Sequence, residues 1–283
     1  MISLVTVFID TLDKYLPYLE ESIIKKTKLI NEVLIPRVDT NIAFYKEWTK
    51  RGITFKTFGA RNSLIMDFHS PALHCLHHAL GLHLGIDAAK NNYIMMCDPD
   101  IFFLSDLDVF YIDLINRFKL NYIGLSHPAA LTQSFTFFPN VLNCLVKKSD
   151  LPDDNFLKND LTLYTATPED LHQWKEYDIA NRYLRGKFLV PSRIPGTEEY
   201  FPNPKGYYET GCQLVIWAKQ KNWRWLSFQT PDCLNYTSQY ARANFKITER
   251  IEKRKLLYHV MHGAAMKERF DIYVESYNRE NED

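Results

Sequence analysis

The chain has 283 residues, 46% of them hydrophobic and 14% aromatic, which is ample for a sizeable core in one large domain or two fused halves. Lys plus Arg and Asp plus Glu number 34 each, so the formal net charge is zero, which excludes a nucleic-acid footprint or a polybasic membrane patch. No apolar run approaches the roughly 18 residues of a spanning helix, which excludes a membrane span. Ser3–Ile9 is β-branched and apolar and predicts a first strand. Asp13–Lys28 follows with helical spacing, with Leu16, Leu19, Ile23 and Ile24 on one side and Pro17 in the first turn. Glu32–Ile35 predicts a second strand leading to Asp39, Thr40–Lys50 a helix, and Ile53–Thr57 an alternating third strand. Ser70–Lys90 predicts a long helix entering the apolar run Tyr93–Cys97. This β-α-β-α-β-α-β order predicts an α/β fold, a mostly parallel Rossmann-like sheet with right-handed crossovers and flanking helices.

The second half is less regular. Leu107–Phe118 predicts a helix and Leu120–Ser126 a strand; Pro152–Lys158 is a polar loop. Thr167-Pro168-Glu169-Asp170 is a helix start, with a capping Thr, a Pro at the first position and acids facing the macrodipole. Val190–Tyr208, rich in Pro, Gly and Tyr, reads as a substrate-side loop. Thr210–Lys221 predicts a helix, Trp223–Phe228 a strand, and the acidic tail after Tyr277 a frayed end. No internal repeat divides the chain.

Five cysteines (Cys75, Cys97, Cys144, Cys212, Cys233) are widely spaced, odd in number and without CxxC, which predicts reduced thiols rather than a zinc site or disulfide framework. Met1–Ile9 lacks the basic start of a signal peptide, so a cytoplasmic location and an unused sequon at Asn235-Tyr236-Thr237 are expected. The basic clusters Lys25-Lys26 and Lys253-Arg254-Lys255 are flanked by acids and read as solvated helix faces.

Asp98-Pro99-Asp100 is the most informative segment. Tyr93–Cys97 reads as a strand buried on both faces, and its C-terminal end is where open α/β sheets bind ligands. Two carboxylates two residues apart in extended chain point the same way and repel unless a cation lies between them. Pro99 ends the sheet ladder. The simplest account is a divalent metal holding a phosphorylated substrate.

Asp98-Pro99-Asp100 on this strand resembles the DxD motif of GT-A-fold glycosyltransferases. His69–Leu73 through Gly85–Tyr93 is similar to that fold's helix leading into the DxD strand. Tyr208-Glu209-Thr210-Gly211, followed by a helix and Lys221-Asn222-Trp223, resembles the acceptor-side segment of family 2-like members. His259-Val260-Met261-His262-Gly263 resembles the C-terminal histidine that completes the metal site. The resemblance implies one GT-A-like domain over residues 1–283, with 1–105 as the nucleotide-sugar half and 106–283 as the acceptor half. It further implies transfer of a sugar from a nucleotide-diphosphate sugar, UDP being the commonest donor nucleotide, to a hydroxyl of a carbohydrate or glycoconjugate acceptor. A divalent cation would stabilise the leaving diphosphate. Oxygen ligands suit Mg²⁺ or Mn²⁺, and an imidazole tilts the choice to Mn²⁺.

The resemblance ranks Asp100 as the direct metal ligand, with Asp98 serving ribose or metal. His262 is preferred as third ligand because Gly263 permits close backbone approach to phosphate; His259 remains the competitor. Glu209 is the candidate general base of an inverting transfer, against the reading of an acid favoured by a helix first turn; Glu198 and Glu199 stand in reserve. Thr11 and Asp39 at the strand ends, Arg61 after the third strand and His69 at a helix N-terminus are candidate donor-binding residues. His74, His77 and His78 share a helix face with ligand spacing, but Leu73, Leu76, Leu80, Leu82 and Leu84 mark that helix as core. Tyr207, Tyr208, Trp217, Trp223 and Trp225 read mainly as core, with one or two able to stack on a sugar. The competing functions are a non-catalytic sugar-nucleotide-binding module and a metal-dependent phosphatase or nucleotidyltransferase. The phosphatase would carry its motif on the first strand, and the nucleotidyltransferase a Gly-rich loop where Asp10-Thr11-Leu12-Asp13 has no glycine.

Overall fold

The computed structural model describes residues 1–41, 43–60, 71–126, 143–151, 214, 218, 221–228, 235–260 and 267–282. Their strands are β1 (Ile2–Val5), β2 (Ile30–Arg37), β3 (Tyr45–Lys50), β4 (Ile53–Gly59), β5 (Tyr93–Cys97), β6 (Ile101–Phe103), β7 (Tyr122–Leu125), β8 (Asn143–Lys147), β9 (Trp225–Phe228), β10 (Asn235–Thr237), β11 (Ala241–Ala243) and β12 (Lys255–His259). Their helices are α1 (Leu16–Lys26), α2 (Pro71–Ala88), α3 (Leu107–Phe118) and α4 (Lys267–Arg279). None is long and apolar enough to cross a membrane.

Nine strands form one sheet in the order β11-β9-β7-β8-β5-β1-β2-β4-β3. β4, β2, β1, β5, β7 and β9 run one way; β3, β8 and β11 run the other. The expected α/β architecture with a mostly parallel sheet is therefore what the chain adopts. Helices cover both faces. Met95 and Cys97 join the core layer containing Leu19 and Ile23 of α1 and Leu114 of α3. Ile94 and Met96 join the opposite layer, with Leu82 and Ile86 of α2. The unbroken apolar run of β5 is thus consumed on both sides, as a central strand requires.

One predicted helix is a strand. Thr40–Lys50 was expected to be helical, but Tyr45–Lys50 pairs antiparallel with β4 as the edge of the sheet. The cause lies in the turn: Arg51 and Gly52 have φ of 48° and 78°, the left-handed pair of a two-residue hairpin, and Gly52 adopts it without steric cost. Trp48 then stacks on Phe55 with ring centroids 5.5 Å apart. Two more departures are β8, which enters antiparallel between β5 and β7, and the C-terminal end. α4 runs on to Arg279, two residues past buried Tyr277, and Glu280 pairs with Lys255 at 2.7 Å. Cys97 and Cys144 are buried free thiols.

α2 lies unusually close to β1. A Cβ on Gly81 would sit 2.5 Å from Val7 Cγ1, and one on Gly85 2.3 Å from Val5 Cγ1. Only hydrogen at these two positions lets the helix axis settle onto the strand. At the other end of the same strands, buried Glu32 accepts hydrogen bonds from Ser3 Oγ (2.6 Å), Lys56 Nζ (2.8 Å) and the Lys90 backbone N–H (3.0 Å). Buried Asp108, near the start of α3, accepts from the backbone N–H groups of Lys28, Leu29 and Ile30, satisfying the entry to β2.

Burial alone would raise the Glu32 carboxyl, but its bonds from Lys56, Lys90 and Ser3 outweigh that and hold it below the usual glutamate range. The bond to Glu32 raises Lys56 against its own burial. A depressed carboxyl contributes stability above its unfolded pKa and loses it as pH falls through the folded value; a raised ammonium contributes below its unfolded pKa and loses it as pH rises through the folded value. Stability from this pair is therefore greatest between the two ranges. Glu32→Ala takes this carboxylate from the partly buried Lys56, and urea denaturation at neutral pH is expected to show a loss of about 1.5–3 kcal/mol. The loss should shrink in acid, where the wild-type carboxyl is itself protonated.

Candidate metal centre

β1, β2 and β5 are parallel neighbours, so the residues following Val5, Arg37 and Cys97 emerge at one sheet edge. At β5 the chain turns through Pro99 and Asp100 and enters β6, which belongs to a second, three-stranded sheet in the order β10-β12-β6. In the antiparallel β6–β12 pair, His259 lies opposite Ile101. The Val260 N–H donates to the Asp100 backbone carbonyl at 3.1 Å. That register brings an imidazole from the far end of the sequence to the two acids.

The ligand atoms of Asp98, Asp100 and His259 all lie within 4.8 Å of one another. His259 Nε2 is 3.2 Å from Asp100 Oδ1 and 3.8 Å from Asp98 Oδ2. Two atoms that each lie about 2.1 Å from a common ion are roughly 3–4 Å apart at coordination angles of 90° and above, so these spacings suit one ion. The donor chemistry fits as well. Asp100 and His259 are buried, at 6% and 4% exposure, and a buried carboxylate needs a counter-charge. Burial pushes His259 down, but the charges of Asp100 and Asp98 and the bond to Asp100 outweigh it and hold the imidazole above its ordinary value. In a centre of this kind those carboxylates would face a cation, and His259 would offer it a lone pair.

Behind the acids stands an aromatic wall. Tyr273 of α4 donates its hydroxyl to the Ile101 carbonyl at 2.9 Å. Its ring meets Phe102 and Tyr15 edge-on at 5.0 and 4.9 Å. Burial, with the Asp100 charge adding to it, pushes the Tyr15 hydroxyl up to about 12, so it stays protonated. The wall excludes water from one side of the acids, where a lower dielectric strengthens their hold on a cation.

Asp39 and Thr11 fall at the same sheet edge. Asp39 accepts from the Asp10 backbone N–H and from Thr40 Oγ1 (3.1 Å), and its Oδ1 is 3.8 Å from Arg37 Nε. Burial first, then the nearby Asp10 carboxylate, raises its carboxyl above the usual aspartate range. Arg37 itself is bonded to Asp10 and Asp13 at 2.6 Å each. Thr11 is exposed on the 3₁₀ turn Asp10–Tyr15. Arg61, His69, Glu209 and His262 lie outside the described residues, as do Glu198, Glu199, Tyr207, Tyr208 and Trp217.

His78 is the residue that sequence reasoning passed over. Its Nε2 is 3.7 Å from Asp98 Oδ1. Burial, opposed by the Asp100 charge, lowers it to about 4, so the ring is neutral. A signal was present in the sequence: His78, Gly81 and Gly85 share one helix face, and the glycines mark the face that approaches the sheet.

No protein-family model matches the chain. No curated protein matches it either. Among solved structures it is similar to residues 1–349 of TarS from S. aureus, at 10% identity and TM-score 0.35, over 57% of this chain and 49% of that one. It is similar to the galactosyltransferase LgtC, solved with donor and acceptor sugar analogues, at 12% identity and TM-score 0.37, over 62% of this chain and 66% of that one. Mouse xyloside xylosyltransferase 1 shows 9% identity and TM-score 0.36, over 62% of this chain and 76% of that one. The chain thus spans about half of the TarS chain.

Mn²⁺ at roughly 100 times its Kd should stabilise the folded chain by about 2.7 kcal/mol, read as a rise in Tm that EDTA reverses. His259→Ala and Asp100→Asn should each lose most of that rise. A wild-type Tm indifferent to Mn²⁺, Co²⁺ and Mg²⁺ would count against an ion site.

Proposed function

We propose that this chain is a metal-dependent glycosyltransferase of the GT-A type, one domain over residues 1–283, transferring a sugar from a nucleotide-diphosphate sugar to an acceptor hydroxyl. The observation that carries the reading is the convergence of Asp98, Asp100 and His259 at the C-terminal edge of a parallel sheet. Hard oxygen donors with one imidazole suit Mn²⁺ or Mg²⁺, with Mn²⁺ favoured. A divalent cation held there supplies Lewis-acid stabilisation of the charge that develops on a departing diphosphate.

The chain's own residues divide the remaining work. Asp100, in the turn before β6, and His259, on β12, would hold the ion, and His262 is the alternative imidazole. Asp98 faces the ion or the donor ribose. Asp39 and Thr11 meet the nucleoside at the ends of β2 and β1, and Arg61 and His69 approach ribose or phosphate. Glu209 takes the acceptor hydroxyl proton in an inverting displacement. The donor is read as a UDP-sugar, the acceptor as a carbohydrate or glycoconjugate met in the half formed by residues 106–283.

A panel of nucleotide-sugars, each tested by thermal shift with and without Mn²⁺, should show one donor whose stabilisation requires the metal. With that donor, Asp100→Ala should abolish both slow donor hydrolysis and transfer. Glu209→Gln should lower kcat by about 10²–10⁴-fold while leaving donor binding intact. Donor binding without hydrolysis or transfer in the wild type would favour a binding module; release of free phosphate from simple phosphoesters would favour a phosphatase.

A further inference from the structure

His78 stands on α2, the crossover helix between β4 and β5, and not in the Asp98–Asp100–His259 group. Its side chain is 24% exposed, but its Nε2 atom is buried and, among the described residues, meets no hydrogen-bond acceptor within range. A buried imidazole nitrogen left without a partner costs stability, so its orientation requires a reason. The nearest carboxylate oxygen is Asp98 Oδ1 at 3.7 Å. The other oxygen of the same carboxylate, Oδ2, is the one 3.8 Å from His259 Nε2. Asp98 therefore sits between two imidazoles, with one oxygen turned toward each. On a neutral ring the proton belongs on Nε2, because a lone pair there would face the lone pairs of the carboxylate.

The placement of His78 is built into the helix. His78, Gly81 and Gly85 fall at i, i+3 and i+7 and share one face. Gly81 rests on Val7 and Gly85 on Val5, so the helix descends along β1 with His78 one turn above Gly81. β1 and β5 run in register with Val5 opposite Met96, which sets Asp98 level with Val7 and within reach of His78. A helix held further from the sheet would not bring the imidazole there.

We propose that His78 is a positioning residue for Asp98: its Nε2–H donates to Asp98 Oδ1 when the centre is loaded, fixing the carboxylate so that Oδ2 faces the ion. The inference rests on the metal-site reading above. It assigns His78 no direct bond to the metal, since its nitrogen stands outside the group whose ligand atoms all lie within 4.8 Å of one another. A distance just beyond hydrogen-bond range is the common condition of such contacts before a ligand draws them together.

The test is Mn²⁺ binding alone, measured on the full chain by calorimetry and by the electron paramagnetic resonance of free Mn²⁺. His78→Leu should weaken Mn²⁺ about 10–100-fold, the loss that follows removal of a hydrogen-bond partner behind a metal ligand. Its metal-free Tm should stay at or above the wild-type value, since an orphaned polar nitrogen is replaced by an apolar group. His78→Gln, which keeps an N–H near the ε position, should retain most of the affinity. Should His78→Leu not fold, Gly81→Ala serves in its place: it lifts the helix off Val7 and should weaken Mn²⁺, and Val7→Ala added to it should restore binding. Wild-type affinity in His78→Leu, or in Gly81→Ala if that variant is used, overturns the proposal. So does a His78→Gln variant as weak as His78→Leu, which would make the imidazole itself a ligand. A wild type that binds no Mn²⁺ overturns both this inference and the metal-dependent function, whereas an unchanged His78→Leu overturns this inference alone.

Discussion

The antiparallel pairing of β6 with β12 is the contact on which the site depends. β5 carries two acids to the edge of the sheet, but a strand end by itself leaves both carboxylates with only each other to face. The turn at Pro99 and Asp100 sends the chain into β6, and β6 recruits β12 with His259 opposite Ile101. Tyr273 seals the arrangement by donating to the Ile101 carbonyl, so the backbone beside Asp100 has partners from both β12 and α4. Closing so long a loop costs entropy that grows only slowly with length, and the apolar packing of Phe102 against Tyr258, Tyr273 and Tyr277 offsets it.

The second constraint is the approach of α2 to β1. Two glycines let the helix settle where larger side chains would hold it away, and the same face then carries His78 to the sheet edge. Packing and chemistry are joined at this point: residues that look like weak helix formers set the reach of a titratable side chain. The histidines of this helix read as core because leucines surround them in sequence. For His78 the face, rather than the composition, was the informative property.

Much of the fold was legible because it rests on short-range chemistry. The apolar run of β5, the helical spacing of α1 and the turn of α3 at its predicted bounds are dictated by periodicity and burial. Thr40–Lys50 carries apolar residues at both helical and alternating spacings, and pairing with β4 through a hairpin turn decides for the strand β3. β8, β10 and β12 are hidden in the sequence for a related reason: three to five residues give too little pattern, and their identity comes from the strand alongside.

By itself, the sequence determined that two acids end a doubly buried strand in an α/β sheet, and that repulsion between them calls for a cation. That follows from residue types and spacing within one element. Only the tertiary structure decided which distant groups meet those acids. His259 arrives by strand register and His78 by helix approach, and both depend on contacts between elements far apart in the chain, which no local pattern encodes.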